Sequence, residues 1–148
     1  MNLLGAKVVG ISDKKNISSP SMFVKTNIYK KIKNYYFDIS KFSLLNKTIK
    51  KEKPDYIFHL AAQSLVYKSY ELPIKTLRTN FWGTLSLLEC LKNYQERTTV
   101  IFITSDKCYR NFEIKKGYSE EDHLGGDDIY SASKASAEII INAYFKSF

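Results

Sequence analysis

The chain has 148 residues, 44% of them hydrophobic and 26% charged, a balance that allows one domain around one core and excludes a disordered or fibrous polymer. No apolar run approaches the roughly 20 residues of a membrane-spanning helix, and the opening MNLLGAKVVGISDKK lacks the basic head and long apolar stretch of a signal peptide, so a cytoplasmic chain is expected. The formal charge of +8 invites a nucleic-acid partner, but 20 of the 23 basic residues are lysines scattered along the chain, and only Arg78, Arg97 and Arg110 could form bidentate forks; this is a solvated lysine surface.

In chain order, apolar β-branched runs alternate with helical patterns, the signature of βαβ units and an α/β fold with a parallel sheet. Residues 7–11 (KVVGI) form the first expected strand. The turn-rich SDKKNISSPS follows as a loop, then a weak helical stretch at residues 22–31 and a short strand at residues 35–38. From Ile39 to Lys53, the residues Ile39, Phe42, Leu45 and Ile49 recur at helical spacing, and Pro54 stands where that helix ends. Residues 56–60 (YIFHL) read as a buried parallel strand running into small residues. Over residues 73–94, Leu77, Phe81, Leu85, Leu88 and Leu91 make a helical stripe. Residues 100–104 (VIFIT) are the next strand; a loop at residues 111–128 leads to a last helix from Tyr130 to Phe148. Cys90 and Cys108 form no CxxC, and His59 and His123 lie far apart, so neither a disulfide framework nor a metal site is expected.

The residues that could carry chemistry follow the two strongest strands, because open α/β sheets bind ligands at the carboxyl ends of their strands. VIFIT is followed by Ser105, Asp106 and Lys107. Tyr130 precedes Lys134 by four residues within a helical pattern, which sets phenol and ammonium on one face, one turn apart. A fixed cation beside a phenol favours phenolate, the form a general base needs. Each residue also has a plainer reading: Ser105 as a turn hydroxyl, Asp106 as a turn cap, Lys107 as a solvated lysine, and Tyr130 with Lys134 as a helix-surface pair.

Taken together, DYIFHLAAQSLVYKSYELPIKTLRTNFWGT, VIFITSDKCY and YSASKASAE resemble the extended short-chain dehydrogenase/reductase superfamily, and within it the CDP-glucose 4,6-dehydratases. The resemblance implies a Rossmann-type doubly wound sheet that holds NAD and converts a nucleotide-bound hexose, here CDP-glucose, into a 4-keto-6-deoxy sugar. It implies Tyr130 as the base on the C4 hydroxyl, Lys134 as its activator and a ribose contact, and Ser105 as a hydrogen-bond partner of the C4 oxygen. Asp106 matches the acid for the departing C6 hydroxyl, and Lys107 the residue assisting proton removal at C5. For the cofactor it implies Asp13 at a ribose, Asp38 and Ile39 at the adenine, Leu60, Ala61, Ala62 and Gln63 under the nicotinamide half, and Thr79 as a further contact. Asp13 also fits an ordinary turn, and Ala61 with Ala62 also fit close helix–strand packing. A homodimer through the helices at residues 73–94 and 130–148 is likewise implied.

The pattern departs from that family at the start. A dinucleotide fold opens with a strand, a glycine-rich turn and a helix whose N-terminus receives the pyrophosphate. Gly5, Gly10, Gly83, Gly117, Gly125 and Gly126 build no such turn. The expectation is therefore one partial domain, an incomplete Rossmann-type sheet without its first strand and helix and without a C-terminal substrate domain, with weak NAD affinity and little or no catalysis alone. MNLLGA then reads as a helix end stopped by Gly5. In the strand order 3-2-1-4-5-6 the four remaining strands should fall into two separate pairs.

Overall fold

The computed structural model describes residues 1–13 and 20–148. Most of the expected loop at residues 12–21 thus lies outside the described residues. Four strands, β1 (Val9–Ser12), β2 (Lys33–Tyr36), β3 (Tyr56–His59) and β4 (Thr99–Phe102), form two parallel pairs, β1 with β2 and β3 with β4. The division into two pairs follows the expectation from strand order.

Helices join and cover the strands: α1 (Met22–Lys25), α2 (Phe42–Glu52), α3 (Val66–Glu71), α4 (Pro73–Leu77), α5 (Gly83–Lys92) and α6 (Ile129–Ser147). Leu45 and Ile49 of α2 meet Leu87 and Cys90 of α5 in the buried core. Ile11 and Phe37 from the first pair, and Ile57, Val100 and Phe102 from the second, pack onto this cluster. Both pairs therefore rest on one helical layer, and burial of these apolar groups is the main force holding them there.

Several boundaries differ from the sequence reading. The second strand begins at Lys33 and ends at Tyr36, two residues early, because the Asp38 carboxylate accepts from Ser40 N (2.9 Å) and turns the chain. The same turn delays α2 to Phe42 and leaves Ile39, 9% exposed, packed outside any helix. The weak helix at residues 22–31 splits into α1 and a 3₁₀ turn, Ile28–Lys30, with Asn27 left-handed between them (φ 56°). β3 stops at His59 and β4 at Phe102, so Leu60, Ile103 and Thr104 belong to the exit loops. Gly5, after a 3₁₀ turn at Asn2–Leu4, has φ of 80°, the left-handed stop expected of it.

The expected single helix at residues 73–94 is interrupted. Between α4 and α5 lies a π turn, Arg78–Trp82, closed by Gly83 N donating to Arg78 O. The extra residue rotates the helix so that Thr76, Asn80, Thr84, Leu87 and Cys90 form its most buried face, while Leu77 of the expected stripe is 39% exposed.

Candidate active site at the carboxyl ends of the strands

β4 runs into Ile103 and Thr104, then Ser105 opens a 3₁₀ turn, Asp106–Cys108. Ser105 Oγ accepts from Lys107 N (3.2 Å) and donates to Asp106 Oδ1 (3.0 Å), so the hydroxyl caps this turn. Asp106 and Lys107 are exposed at its rim.

α6 starts beside that turn and packs along it. Asp128 caps the helix: Oδ1 accepts from Ser131 N (3.0 Å) and Oδ2 from Ser131 Oγ (2.6 Å). Burial works to raise the Asp128 carboxyl, but hydrogen bonds from Ser131 and from the Tyr130 backbone, with the Lys107 charge, carry it below its usual range. Gly126 leaves room for the first turn of α6, since a Cβ there would overlap Ser131 and the Ala132 backbone.

The first two turns of α6 hold the expected pair. Tyr130 and Lys134 are each 7% exposed. Lys134 Nζ donates to Ile103 O (3.4 Å), and burial depresses its pKa against the opposing pull of Cys108 and Glu138. One turn on, Glu138 accepts from Thr104 Oγ1 (2.5 Å). These two contacts fasten α6 to the β4 exit, so Lys134 and the Ser105–Asp106–Lys107 stretch are brought to one place.

A buried amide organises the neighbouring loop. Asn80, 2% exposed in the π turn, accepts from Gln63 N (2.8 Å) and donates to Gln63 O (3.1 Å) and Ser133 Oγ (2.9 Å). Ser133 in turn donates to Tyr130 O (2.6 Å). The Gln63 side chain donates to Thr76 Oγ1 (3.0 Å) and Leu65 O (3.0 Å), so it shapes its own loop. Asn80 was not among the expected residues; its only signal was its place beside Thr79 in a Thr-Asn-x-x-Gly-Thr run. His59 Nε2 meets Thr84 Oγ1 (2.9 Å), whose hydroxyl donates to Asn80 O (2.7 Å). Burial, aided by the Lys134 charge, pushes His59 down to about 4, so it sits neutral in the core.

The remaining candidates lie along the same strand ends. Asp13 follows β1 directly, and Ala61 and Ala62 follow β3, half-buried, beyond Leu60, which is 68% exposed. Thr79 is half-buried in the π turn. Asp38 borders a hollow with Leu72, Ile74, Lys75 and Arg78. Ile39 fills the space a side chain at Gly83 would need, which ties the β2 exit to α5. The structure thus gathers Ser105, Asp106, Lys107 and Lys134 at the β4 exit and leaves Asp13, Asp38 and Ile39 with the other strand pair. Among the described residues no group of three or more His, Cys, Asp or Glu side chains could hold a metal ion, and no helix is long and apolar enough to cross a membrane.

The profile of the GDP-mannose 4,6 dehydratase family matches residues 3–148. The chain belongs to that family. It is 43% identical over 129 residues to a CDP-glucose 4,6-dehydratase of Salmonella typhimurium, and 36% identical over 126 residues to a dTDP-D-glucose 4,6-dehydratase of Dictyostelium discoideum. These matches take in 87% and 78% of this chain but 36% and 29% of the relatives, so the chain spans about a third of their length. Among solved structures, a UDP-glucose 4-epimerase of Thermotoga maritima with UDP-glucose superposes with a TM-score of 0.82 at 24% identity, over 99% of this chain and 45% of that one. A Streptomyces venezuelae dTDP-glucose 4,6-dehydratase with NAD bound reaches 0.80 at 23% identity, over 96% and 43%. At these identities the structural likeness establishes the fold, a partial Rossmann-type α/β sheet.

Proposed function

We propose that this dehydratase-family chain carries the proton-transfer residues and part of the NAD-binding surface of a nucleotide-sugar 4,6-dehydratase, with CDP-glucose as substrate. The observation that carries the reading is the anchoring of Lys134, one turn after Tyr130, against the strand exit that also bears Ser105, Asp106 and Lys107. The relative at 43% identity supports the cytidine nucleotide.

The residues present fit the two ends of a dinucleotide. Asp13, Asp38 and Ile39 would meet the adenosine half; Leu60, Ala61, Ala62, Gln63, Thr79, Tyr130 and Lys134 would meet the nicotinamide half, along strand ends where such ligands lie. None of the six glycines supplies a turn for the pyrophosphate. When bound, NAD supplies the hydride acceptor. Tyr130 takes the proton of the C4 hydroxyl, and Lys134 stabilises the phenolate that does so. Ser105 turns its proton from Asp106 to the C4 oxygen. Asp106 protonates the departing C6 hydroxyl, and Lys107 assists loss of the C5 proton. Exposed apolar side chains on α6, Ile139 at 54% and Phe145 at 87%, support contact with a second copy, a homodimer.

With the pyrophosphate turn unsupplied, the 148-residue chain alone should bind NAD weakly and turn over little CDP-glucose. Calorimetric titration with NAD and a chromatographic assay for the 4-keto-6-deoxy product test this; stoichiometric NAD in purified protein, or turnover, would overturn it. In a chain extended to the length of its relatives, Tyr130→Phe should lower kcat by roughly 100-fold or more. Asp106→Asn and Lys107→Met separate this reading from a sugar epimerase or reductase of the same fold, because only dehydration needs an acid at C6.

A further inference from the structure

The lysine surface is uneven. Residues 1–53 carry 12 lysines against Asp13, Asp38 and Glu52, whereas residues 54–148 carry 11 basic and 12 acidic side chains, so the whole cationic excess belongs to the first part of the chain. Between Asp13 and Asp38 the sequence has no acidic residue and no arginine. The described part of that stretch forms an arm on the β1–β2 pair: α1, the left-handed Asn27 and the turn Ile28–Lys30 lead into β2. Lys7 and Lys33 turn to Glu52 at its base (3.5 and 2.6 Å), and no carboxylate among the described residues pairs with Lys25 or Lys30.

The arm is held in shape and stands clear of the body. Asn34 Nδ2 donates to Tyr29 O (3.0 Å) and Ile32 O (3.1 Å), Thr26 Oγ1 donates to Met22 O (2.6 Å), and the Phe23 and Tyr29 rings lie 6.3 Å apart. Yet every residue from Val24 to Lys31 is exposed. Apolar groups share that exposure: Met22 is 70% open to solvent, Val24 50%, Ile28 42% and Tyr29 38%. Lys30 Nζ lies 5.6 Å from the Tyr29 ring centroid, which sets an ammonium beside an exposed phenol. So dense a set of exposed apolar side chains differs from the scattered single ones usual on a surface.

We propose that this arm is a docking surface for an anionic lipid bilayer. Met22, Val24 and Ile28 enter the boundary between headgroups and acyl chains, Tyr29 lies at headgroup depth, and Lys25 and Lys30 meet the lipid phosphates. The mixture of groups selects this partner. A nucleic-acid backbone would use the ammonium groups, leave the aliphatic tips in water, and favour the forked guanidinium that the arm lacks. A protein partner would need a recess shaped to a projecting arm and fixed carboxylates opposite Lys25 and Lys30. A fluid anionic leaflet answers both the charge and the aliphatic tips without a specific fit. Each lysine near such a leaflet strengthens binding about fivefold, the roughly 1 kcal/mol gained there. With two lysines and a few aliphatic tips, attachment is reversible.

The test is co-sedimentation of the 148-residue chain with vesicles of phosphatidylcholine alone and of phosphatidylcholine and phosphatidylglycerol in equal parts. Binding should occur on the mixed vesicles only and be lost at about 1 M salt, where the screening length falls to about 3 Å. Lys25→Gln with Lys30→Gln should weaken it roughly 25-fold, and Met22→Ser with Ile28→Ser roughly tenfold or more. All four side chains are exposed, so each variant should keep its Tm within about 2 °C of the parent. The control pair Lys115→Gln, Lys116→Gln removes the same charge from an exposed loop in the near-neutral part of the chain and should change binding less than about twofold. Absence of binding to the mixed vesicles would overturn the proposal. So would equal weakening by the control pair, which would reduce the effect to net charge, or binding undiminished by the serine pair, which would assign the arm to a soluble polyanion. Neither NAD nor a sugar nucleotide enters the assay, so its result is independent of the enzymatic reading.

Discussion

Asn80 shows how one buried side chain can hold a site in register. Its amide satisfies both backbone groups of Gln63 and the Ser133 hydroxyl, joining the β3 exit, the π turn and the helix of Tyr130. Asn80→Ala would leave the Gln63 N–H without its partner in a dry environment, at a cost of about 2–4 kcal/mol; chemical denaturation should show it, with an unchanged m-value. Glu52 organises the other strand pair. Its side chain, 6% exposed, accepts from Lys33 (2.6 Å) and Tyr35 (2.6 Å), and Lys7 stands at 3.5 Å. The hydrogen bond from Lys33, then that from Tyr35, holds its carboxyl at about 2, below the ordinary 4.5. Stability from this group is therefore complete above pH 4.5 and lost as pH falls toward 2. His59 adds to the same acid slope, since its folded value of about 4 lies below the ordinary 6.5 and protonation favours the unfolded chain from pH 6.5 downward. A Tm profile from pH 7 to pH 3 should fall, and Glu52→Gln should flatten its lower part; an unchanged profile would refute the assignment.

At the scale of elements, α5 depends on its first residue. A Cβ at Gly83 would overlap Ile39, and although alanine gains about 1 kcal/mol of helix propensity over glycine, overpacking costs about 1–3 kcal/mol. Gly83→Val, which adds branching without that propensity gain, should destabilise the protein by more than Gly83→Ala, measurable as successive drops in denaturation midpoint. Tyr56, Ile57 and Phe58 with Thr99, Val100 and Ile101 are β-formers bounded by turn signals, and α2 and α6 have apolar residues at helical spacing, so local pattern placed them. α3 escaped notice because Val66–Glu71 shows no clean period before Pro73. The π turn escaped because nothing local separates it from an α-helix; its register answers to Asn80 and Gly83 contacts distant in sequence. The placement of Tyr130 and Lys134 one turn apart on a single helix was legible from spacing, whereas the anchoring of Lys134 on Ile103 O required the tertiary structure.

Across the whole molecule, attachment is uneven. The β1–β2 pair reaches the common core through Ile11 and Phe37, while β3 and β4 meet it through Ile57, Val100 and Phe102 and are further tied to α6. Regions with fewer buried contacts open first. Amide exchange should therefore show β1 and β2 opening at lower free energy than β4, α5 and α6; equal protection would contradict this division. The lysine coat adds a colloidal consequence. A net charge of +8 makes copies of the chain repel one another even though Phe58, Ile101 and Ile103 lie open to solvent. That repulsion reaches about 30 Å at 0.01 M salt but only about 8 Å at 0.15 M, so the protein should stay dispersed in dilute buffer and grow sticky as electrolyte is added.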